Sequence, residues 1–332
     1  MISLRSMILS VTGCELFEKI PPGGIISLQA ENTIQSEVVK MIIKIENDAL
    51  LAELSTQGAY IEKLYDKKTG KDHIWQYDAQ YWPRRTSICF PIMSILKNDE
   101  TVIEGKTYHM ENHGFLREME LDVISSGADC VTMRAQANEM TKKHYPYDFC
   151  FDVTYRLEGD ALAVEYNVSN QGTIPMDYCL GVHTTYKVSI DDAENMQEDL
   201  YLQFEAPETA GIHVVEGGLQ THNYRPYLEN SDTIPLKGAF EDGALIFDTD
   251  ALKSRSVSIC SRKSSFRTRV DFSGWKQIAF WAKPGNMPFL CIEPMTGLAD
   301  YVDTDGNFHS KPDIITLQPG DAKLHRYVIR TE

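Results

Sequence analysis

Three short stretches of this 332-residue chain carry side chains that can move protons and grip hydroxyl groups. The first is PFLCIEPMTGLAD at 288–300. An apolar run delivers Glu293, and Pro294 follows at once, which is expected to stop the ladder of backbone hydrogen bonds there. A carboxylate partly desolvated at the end of such a strand has its pKa tuned toward the work of a general base. A strand-end glutamate facing water has the same local sequence. The second stretch is DYCLGVHTTYKV at 177–188, in which His183 follows an apolar strand and Gly181. A half-buried imidazole gives and takes protons near neutral pH; a core histidine satisfied by backbone groups fits equally. The third is ENHGFLREM at 111–119, with Asn112, His113, Gly114 and Arg117. Gly114 suits a turn with positive φ, which either reverses the chain or presents His113 to a ligand. Just upstream, YWPRRTSICFPIMSILKND at 81–99 adds Arg84 and Arg85, read as donors to hydroxyl groups or as surface charge.

Strands must position these residues. From Met41 onward, segments rich in Val, Ile, Tyr, Phe and Thr follow one another, with period-two stretches bounded by Gly, Asn, Asp and Pro. Examples are MIIKIEND, CVTMRAQANE, FDVTYRLEGDALAVEYNVSNQG, ALIFDTDAL, QIAFWAKPG and IITLQPGDAKLHRYVIRT. LEGDALAV reads as a hairpin. DTDGN at 303–307 reads as a turn, because Tyr301 occupies the place where a calcium loop needs its first acid. DAENMQEDL at 192–200 is the one candidate for a helix, and a short one. There is no repeat of roughly 20–50 residues and no low-complexity linker. The pattern predicts an all-β chain: a large antiparallel β-sandwich of two sheets packed face to face, with a concave sheet face as the natural ligand site. His109 and His113 are four apart, a spacing that suits a metal on a helix; in strand-then-turn sequence they separate, and no metal is expected.

Composition narrows the function classes. With 48 acidic against 32 basic residues the net charge is −16. Such a surface repels phosphate backbones and anionic lipid, so neither nucleic acid nor membrane is an expected partner; a neutral sugar is unaffected. G-x-G-x-x-G, P-loop, H-E-x-x-H and G-x-S-x-G motifs are absent, which leaves nucleotide cofactors, zinc proteolysis and serine hydrolysis without support. Seven cysteines, at 14, 89, 130, 150, 179, 260 and 291, are odd in number and lack C-x-x-C spacing. Several sit in apolar runs, as expected of reduced core thiols in a cytoplasmic protein. No stretch approaches the roughly 20 apolar residues of a spanning helix. MISLRSMILSVTGC at the start has an apolar run of five residues, short of the roughly 7–15 of a signal core. Residues 1–40 therefore read as an extension of unknown role ahead of a domain at 41–332.

In this order and spacing, the three stretches resemble the aldose 1-epimerase (mutarotase) superfamily, in particular its LacX-like branch, from about Met41 to the C-terminus. NHGFLR is similar to that branch's His-Gly-Phe-Ala-Arg, GVHTTY to its Gly-x-His segment, and FLCIEPMTG to its Cys-Ile-Glu-Pro-Trp-Thr-Gly. FPIMSILKND, ALIFDTDALKSRSVSI and FWAKPG also look like family sequence. The resemblance implies a galactose mutarotase-like β-supersandwich and the interconversion of α and β anomers of an aldose without a cofactor. It implies Glu293 as general base, His183 as general acid, and His113 beside the sugar, where it orients or polarises it. Arg84, Asn112, Arg117 and Asp242 match positions that hold sugar hydroxyl groups. Two departures bear on which sugar is bound. Ser94 and Ile95 stand where the branch has Gly-Arg, which removes a sugar-binding arginine and leaves Arg84 or Arg85 to replace it; Met295 stands where Trp is usual. Trp281 either stacks on the sugar or belongs to the core.

The expected partner is a monosaccharide, bound by a monomer or homodimer. Two other functions compete with the aldohexose epimerase. One is a hexose-6-phosphate mutarotase, for which KSRSVSICSRKSSFRTR at 253–269 supplies bases that alternation scatters over both faces. The other is a non-catalytic carbohydrate-binding protein on the same fold.

Overall fold

A computed structural model describes residues 41–83, 86–188, 198–285 and 287–332, with the backbone of Ile26–Leu28. Among these residues strands dominate, and helical structure is limited to short 3-10 turns such as Leu116–Glu118 and Thr249–Ala251. Nine antiparallel strands form the larger sheet. Their spatial order is Leu219–Pro235, Leu200–Glu216, Ser256–Ser261, Arg267–Asp271, Ala322–Thr331, Ala161–Asn170, Phe149–Glu158, Cys130–Gln136 and Asp122–Ser126. A five-stranded antiparallel sheet runs Leu245–Asp248, Gln277–Trp281, Phe289–Thr296, Leu180–Lys187 and Ser87–Cys89. A second five-stranded sheet takes Ile26–Leu28, Met41–Glu46, Leu50–Ser55, Ile61–Asp66 and Lys71–Asp72 in chain order. The antiparallel all-β sandwich is thus as expected, and Ile26–Leu28 of the N-terminal extension pairs with Met41–Ile43.

Strand pleating sorts side chains onto two faces. On the Leu180–Trp281 sheet, Val182, Thr184 and Tyr186, with Leu245, Phe247, Ile278, Phe280, Leu290 and Ile292, turn inward to the main core. There they meet the nine-stranded sheet: Tyr327 stacks on Tyr166 and its hydroxyl pairs with Thr184 Oγ1 at 3.2 Å. The alternate residues, among them His183, Ile246, Ala279, Trp281, Glu293 and Met295, face the other way and line a groove. The six described cysteines are free, and five of them are buried.

Three sequence expectations are corrected or fall outside view. Pro294 does not stop its strand, which continues to Thr296. Pairing with Gln277–Trp281 carries it past, Ile278 lying opposite Pro294; only the ladder with Leu180–Lys187 skips, between Gly181 and Thr184, where proline has no N–H to give. Residues 192–197 of the expected short helix, and both Arg84 and Arg85, lie outside the described residues. The two 17-residue strands Leu200–Glu216 and Leu219–Pro235 were not expected at all. Their alternation is broken by Pro207, Gly211 and Pro226 and by four register shifts, bulges that bend and twist a ribbon.

That hairpin spans the groove. Its root pairs with Ser256–Ser261 inside the nine-stranded sheet. Glu208, fully buried, pins it further by accepting from the backbone N–H of Lys253 and Ser254 and from Ser254 Oγ. Its tip is stitched to the loop after Phe289–Thr296, where Gln220 N donates to Asp300 O and Val302 N to Gln220 O. Asp300 is held in turn by the buried Lys311, 2.6 Å away.

One close backbone approach fixes the 111–119 turn. Gly114, at φ +71°, bridges to Phe90, and a Cβ there would lie 2.2 Å from the Phe90 carbonyl oxygen. The left-handed conformation alone costs an L-residue roughly 1–2 kcal/mol, and the clash adds to it. Gly114→Ala is expected to destabilise the protein by at least about 2 kcal/mol, seen as a lower chemical-denaturation midpoint with unchanged m-value.

Candidate active site

Cross-strand register assembles the groove floor. Ile246 lies opposite Ala279, Ala279 opposite Glu293, and His183 opposite Ser87. The pairs Thr184–Ile292 and Gly181–Met295 bracket His183 and set it opposite Glu293. One row across five strands thus points five side chains to the same face, and all five line a groove of ≈ 1000 Å³. Glu293 Oε1 is 3.4 Å from His183 Nε2. With Glu293 only 5% exposed, burial pushes its carboxyl up to about 8, because a charge is poorly solvated there. This answers the choice left open by the sequence: neither residue is a water-facing or purely core group.

His113 enters from the side. The Phe90–Gly114 bridge lays its turn along the end of Ser87–Cys89. His113 N donates to Ser94 O at 2.9 Å, and Ser94 N donates to His113 Nδ1 at 3.1 Å. Both residues have positive φ, 66° and 62°; two mutual hydrogen bonds hold two strained non-glycine residues. Since Nδ1 accepts, the neutral ring carries its proton on Nε2 and offers a donor there. The ring meets that of His183 edge to face, 5.4 Å between centroids.

The remaining candidates divide. Arg117 lines the groove at 8% exposure; its nearest carboxylate is Glu118, 3.5 Å from Nε, and Nε has no hydrogen-bond partner among the described residues. Asn112 is exposed on the groove wall. Asp242 lies on the hairpin side of the groove, its side chain 79% exposed and 3.5 Å from Arg225. Trp281 is groove wall, edge-on to His183 at 5.9 Å and to Trp82 at 4.9 Å. Met295 lies in the same apolar cluster as Met93. Ile95 reaches the hairpin tip: a Cβ on Gly218 would lie 2.8 Å from its Cδ1.

Sequence reasoning missed Ser87, which is brought beside His183 only by non-local strand pairing. It also missed His213, Gln220 and Arg225, which line the groove from the hairpin and carry no motif. The bases at 253–269 do not line the groove; Arg255 binds backbone carbonyls, Lys263 pairs with Asp199 and Arg269 with Glu205.

His183, Glu293 and Cys291 place one potential ligand atom each within 4.8 Å of one another. Burial pushes the Cys291 thiol well up, which keeps it protonated and a poor ligand. His109 is exposed and lies beside Glu100, away from this trio.

Known proteins share this architecture. Residues 41–330 match the family model for aldose 1-epimerase. Protein LacX of Lactococcus lactis subsp. lactis, in its plasmid form, is 30% identical over 299 residues, covering 87% of this chain and 99% of its own. The structure is similar to that of a galactose mutarotase related enzyme from Lactobacillus acidophilus, with TM-score 0.83 and 29% identity over 88% of this chain and 97% of that one. It also shares its fold with a galactose mutarotase-like protein from Lactobacillus casei, with TM-score 0.80 and 24% identity over 88% of this chain and 100% of that one.

The buried carboxyl has a consequence for stability. A group raised from 4.5 to about 8 by folding contributes fully below its unfolded pKa, and that contribution is lost as pH rises toward the folded value. Each pK unit is worth about 1.4 kcal/mol. Glu293→Gln, neutral at every pH, is expected to unfold at higher temperature than the parent above about pH 8. The gain should vanish at acidic pH. Calorimetry at the two pH values checks it.

Proposed function

Because the chain belongs to the aldose 1-epimerase family, we propose that it is a mutarotase that interconverts the α and β anomers of an aldohexose. One observation carries this reading. The anomeric hydroxyl oxygen and the ring oxygen are bonded to the same carbon, so a base for one and an acid for the other must be near neighbours. Glu293 and His183 are, at 3.4 Å, on the floor of an open groove.

Glu293 takes the proton of the anomeric hydroxyl while His183 gives one to the ring oxygen. The bond from C1 to the ring oxygen breaks and an open aldehyde forms. Rotation about C1–C2 turns the other carbonyl face to the attacking hydroxyl. On closure that hydroxyl returns its proton to His183, Glu293 protonates the new anomeric oxygen, and both groups regain their starting state. Nothing beyond the two side chains is consumed. The proton shared by the pair matters: once it is lost, no acid remains. In this reading His113 Nε2–H and the Arg117 guanidinium donate to sugar oxygens, Asn112 and Asp242 hold hydroxyl groups, and Trp281 covers an apolar ring face. Arg84 keeps its proposed role from the family pattern. No described arginine or lysine other than Arg117 and Arg225 lines the groove, and Arg225 already faces Asp242; a neutral hexose fits this balance better than a hexose phosphate.

Two outcomes are expected. Glu293→Gln and His183→Asn each lower catalysed anomer exchange by about 10²–10⁴-fold with the fold intact; near-parent rates by exchange NMR end the assignment, whereas saturable sugar binding with no faster exchange in the parent points to a binding protein. In the parent, exchange falls as pH rises through about 8, when the pair loses its last proton; polarimetry with glucose and galactose, and with their 6-phosphates for comparison, reads both the limb and the preference.

A further inference from the structure

His113 does not stand on the five-stranded sheet. It leans on Ser94, with which it exchanges two hydrogen bonds. Residues 94–96 lie in no strand. Ser94, and Asn98 and Asp99 just beyond, have positive φ of 62°, 62° and 57°. A segment with so little structure of its own needs an outside anchor if it is to place a side chain.

Asp300 is that anchor. Its N–H donates to Ile95 O at 3.1 Å, and its Oδ2 accepts from Lys97 N at 2.9 Å. Its carbonyl oxygen accepts from Gln220 N at the hairpin tip at 2.8 Å, and its Oδ1 from Lys311 Nζ at 2.6 Å. Every polar atom of Asp300 is thus engaged, and together they tie three separate parts of the chain. Asp300 lies just behind the groove wall that Leu298 and Ala299 help to form; neither it nor Lys311 lines the groove.

The two charges are sealed from water, the Lys311 and Asp300 side chains being 1% and 3% exposed. Desolvation of such a pair largely cancels its attraction, so apolar side chains of similar volume hold a fold about as well. Apolar side chains cannot accept an N–H. A carboxylate offers several lone pairs, so one oxygen holds Lys97 N while Lys311 balances the charge at the other.

We infer that Asp300 and Lys311 are positioning residues: the pair anchors segment 94–97 and, through Ser94, holds the His113 ring in the Nε2–H tautomer and in the place from which it meets the sugar. The kinetic side of this role rests on the mutarotase reading above; the hold on His113 does not.

Two paired variants test it. Asp300→Leu with Lys311→Met removes both charges and the acceptor together, leaving no buried charge alone. Asp300→Asn with Lys311→Met also removes both charges but keeps an amide oxygen for Lys97 N. The apolar variant is expected to fold, with kcat/KM for glucose or galactose exchange at least about tenfold below the parent. The amide variant should recover most of that loss. Added to His113→Ala, the apolar variant should cost nothing further, because both act through one ring. Nitrogen-15 spectra of the imidazoles should show one Nε2–H tautomer for His113 in the parent and the amide variant, and a mixture in the apolar variant. Parent-level exchange in the apolar variant, a loss that multiplies with that of His113→Ala, or an unchanged His113 tautomer each overturns the assignment. Should the apolar variant not fold, Lys97→Pro leaves the ion pair whole and removes the N–H that reaches Asp300. Leu96 before it is already extended, at φ −90° and ψ 150°, as a following proline requires, and the same spectra and rates then decide. If the parent exchanges no sugar, the mutarotase reading fails separately, and the His113 tautomer alone supports or overturns the anchor.

Discussion

A carboxylate withdrawn from water beside an imidazole is the interaction on which the rest of this molecule depends. Desolvation raises the proton affinity of Glu293, and the same burial would be a plain defect of the fold without a partner for the charge. Keeping the pair both dry and reachable needs a stiff floor with one sealed face. The five-stranded sheet meets that need by alternation: its inner side chains merge with the nine-stranded sheet in one aromatic-rich core, while the outer ones are free to differ. A register slip of a single residue would send Glu293 and His183 into the core and Ile292 and Thr184 into the groove.

His113 shows a different device. Its position comes from backbone geometry more than from packing: a glycine pressed on the Phe90 carbonyl and two left-handed residues bonded to each other. Ser94 occupies one of those left-handed positions, and Ile95 next to it fills space against the hairpin. The wall there is closed by an apolar contact between Ile95 and the hairpin tip.

Much of this was readable in the chain. Short runs such as FLCI and QIAF, bounded by turn residues, declared buried strands, and the order of NHG, GVH and IEP carried the family resemblance that brings these residues together. Pairing is non-local, so the 3.4 Å approach of residues 110 positions apart could be expected only from the resemblance and not from spacing. What stayed hidden has a common cause. The hairpin over 200–235 is bulged, interrupted by proline and glycine, and exposed along much of one strand, so neither periodicity nor hydrophobicity marks it. Pro294 misled for the opposite reason: a rule about hydrogen-bond donors holds for each neighbour separately, and the strand needed only one of its two neighbours at that point.

Roof and floor of the groove are therefore written in separate parts of the gene. The floor draws on five strands locked together by register, and changes there disturb everything at once. The roof is one contiguous excursion, rooted in a sheet that takes no part in the chemistry and fastened at its tip by backbone contacts that tolerate many side chains. Changes in length or composition of that excursion can therefore alter the shape of the cleft while leaving the paired floor, with Glu293 and His183, in place.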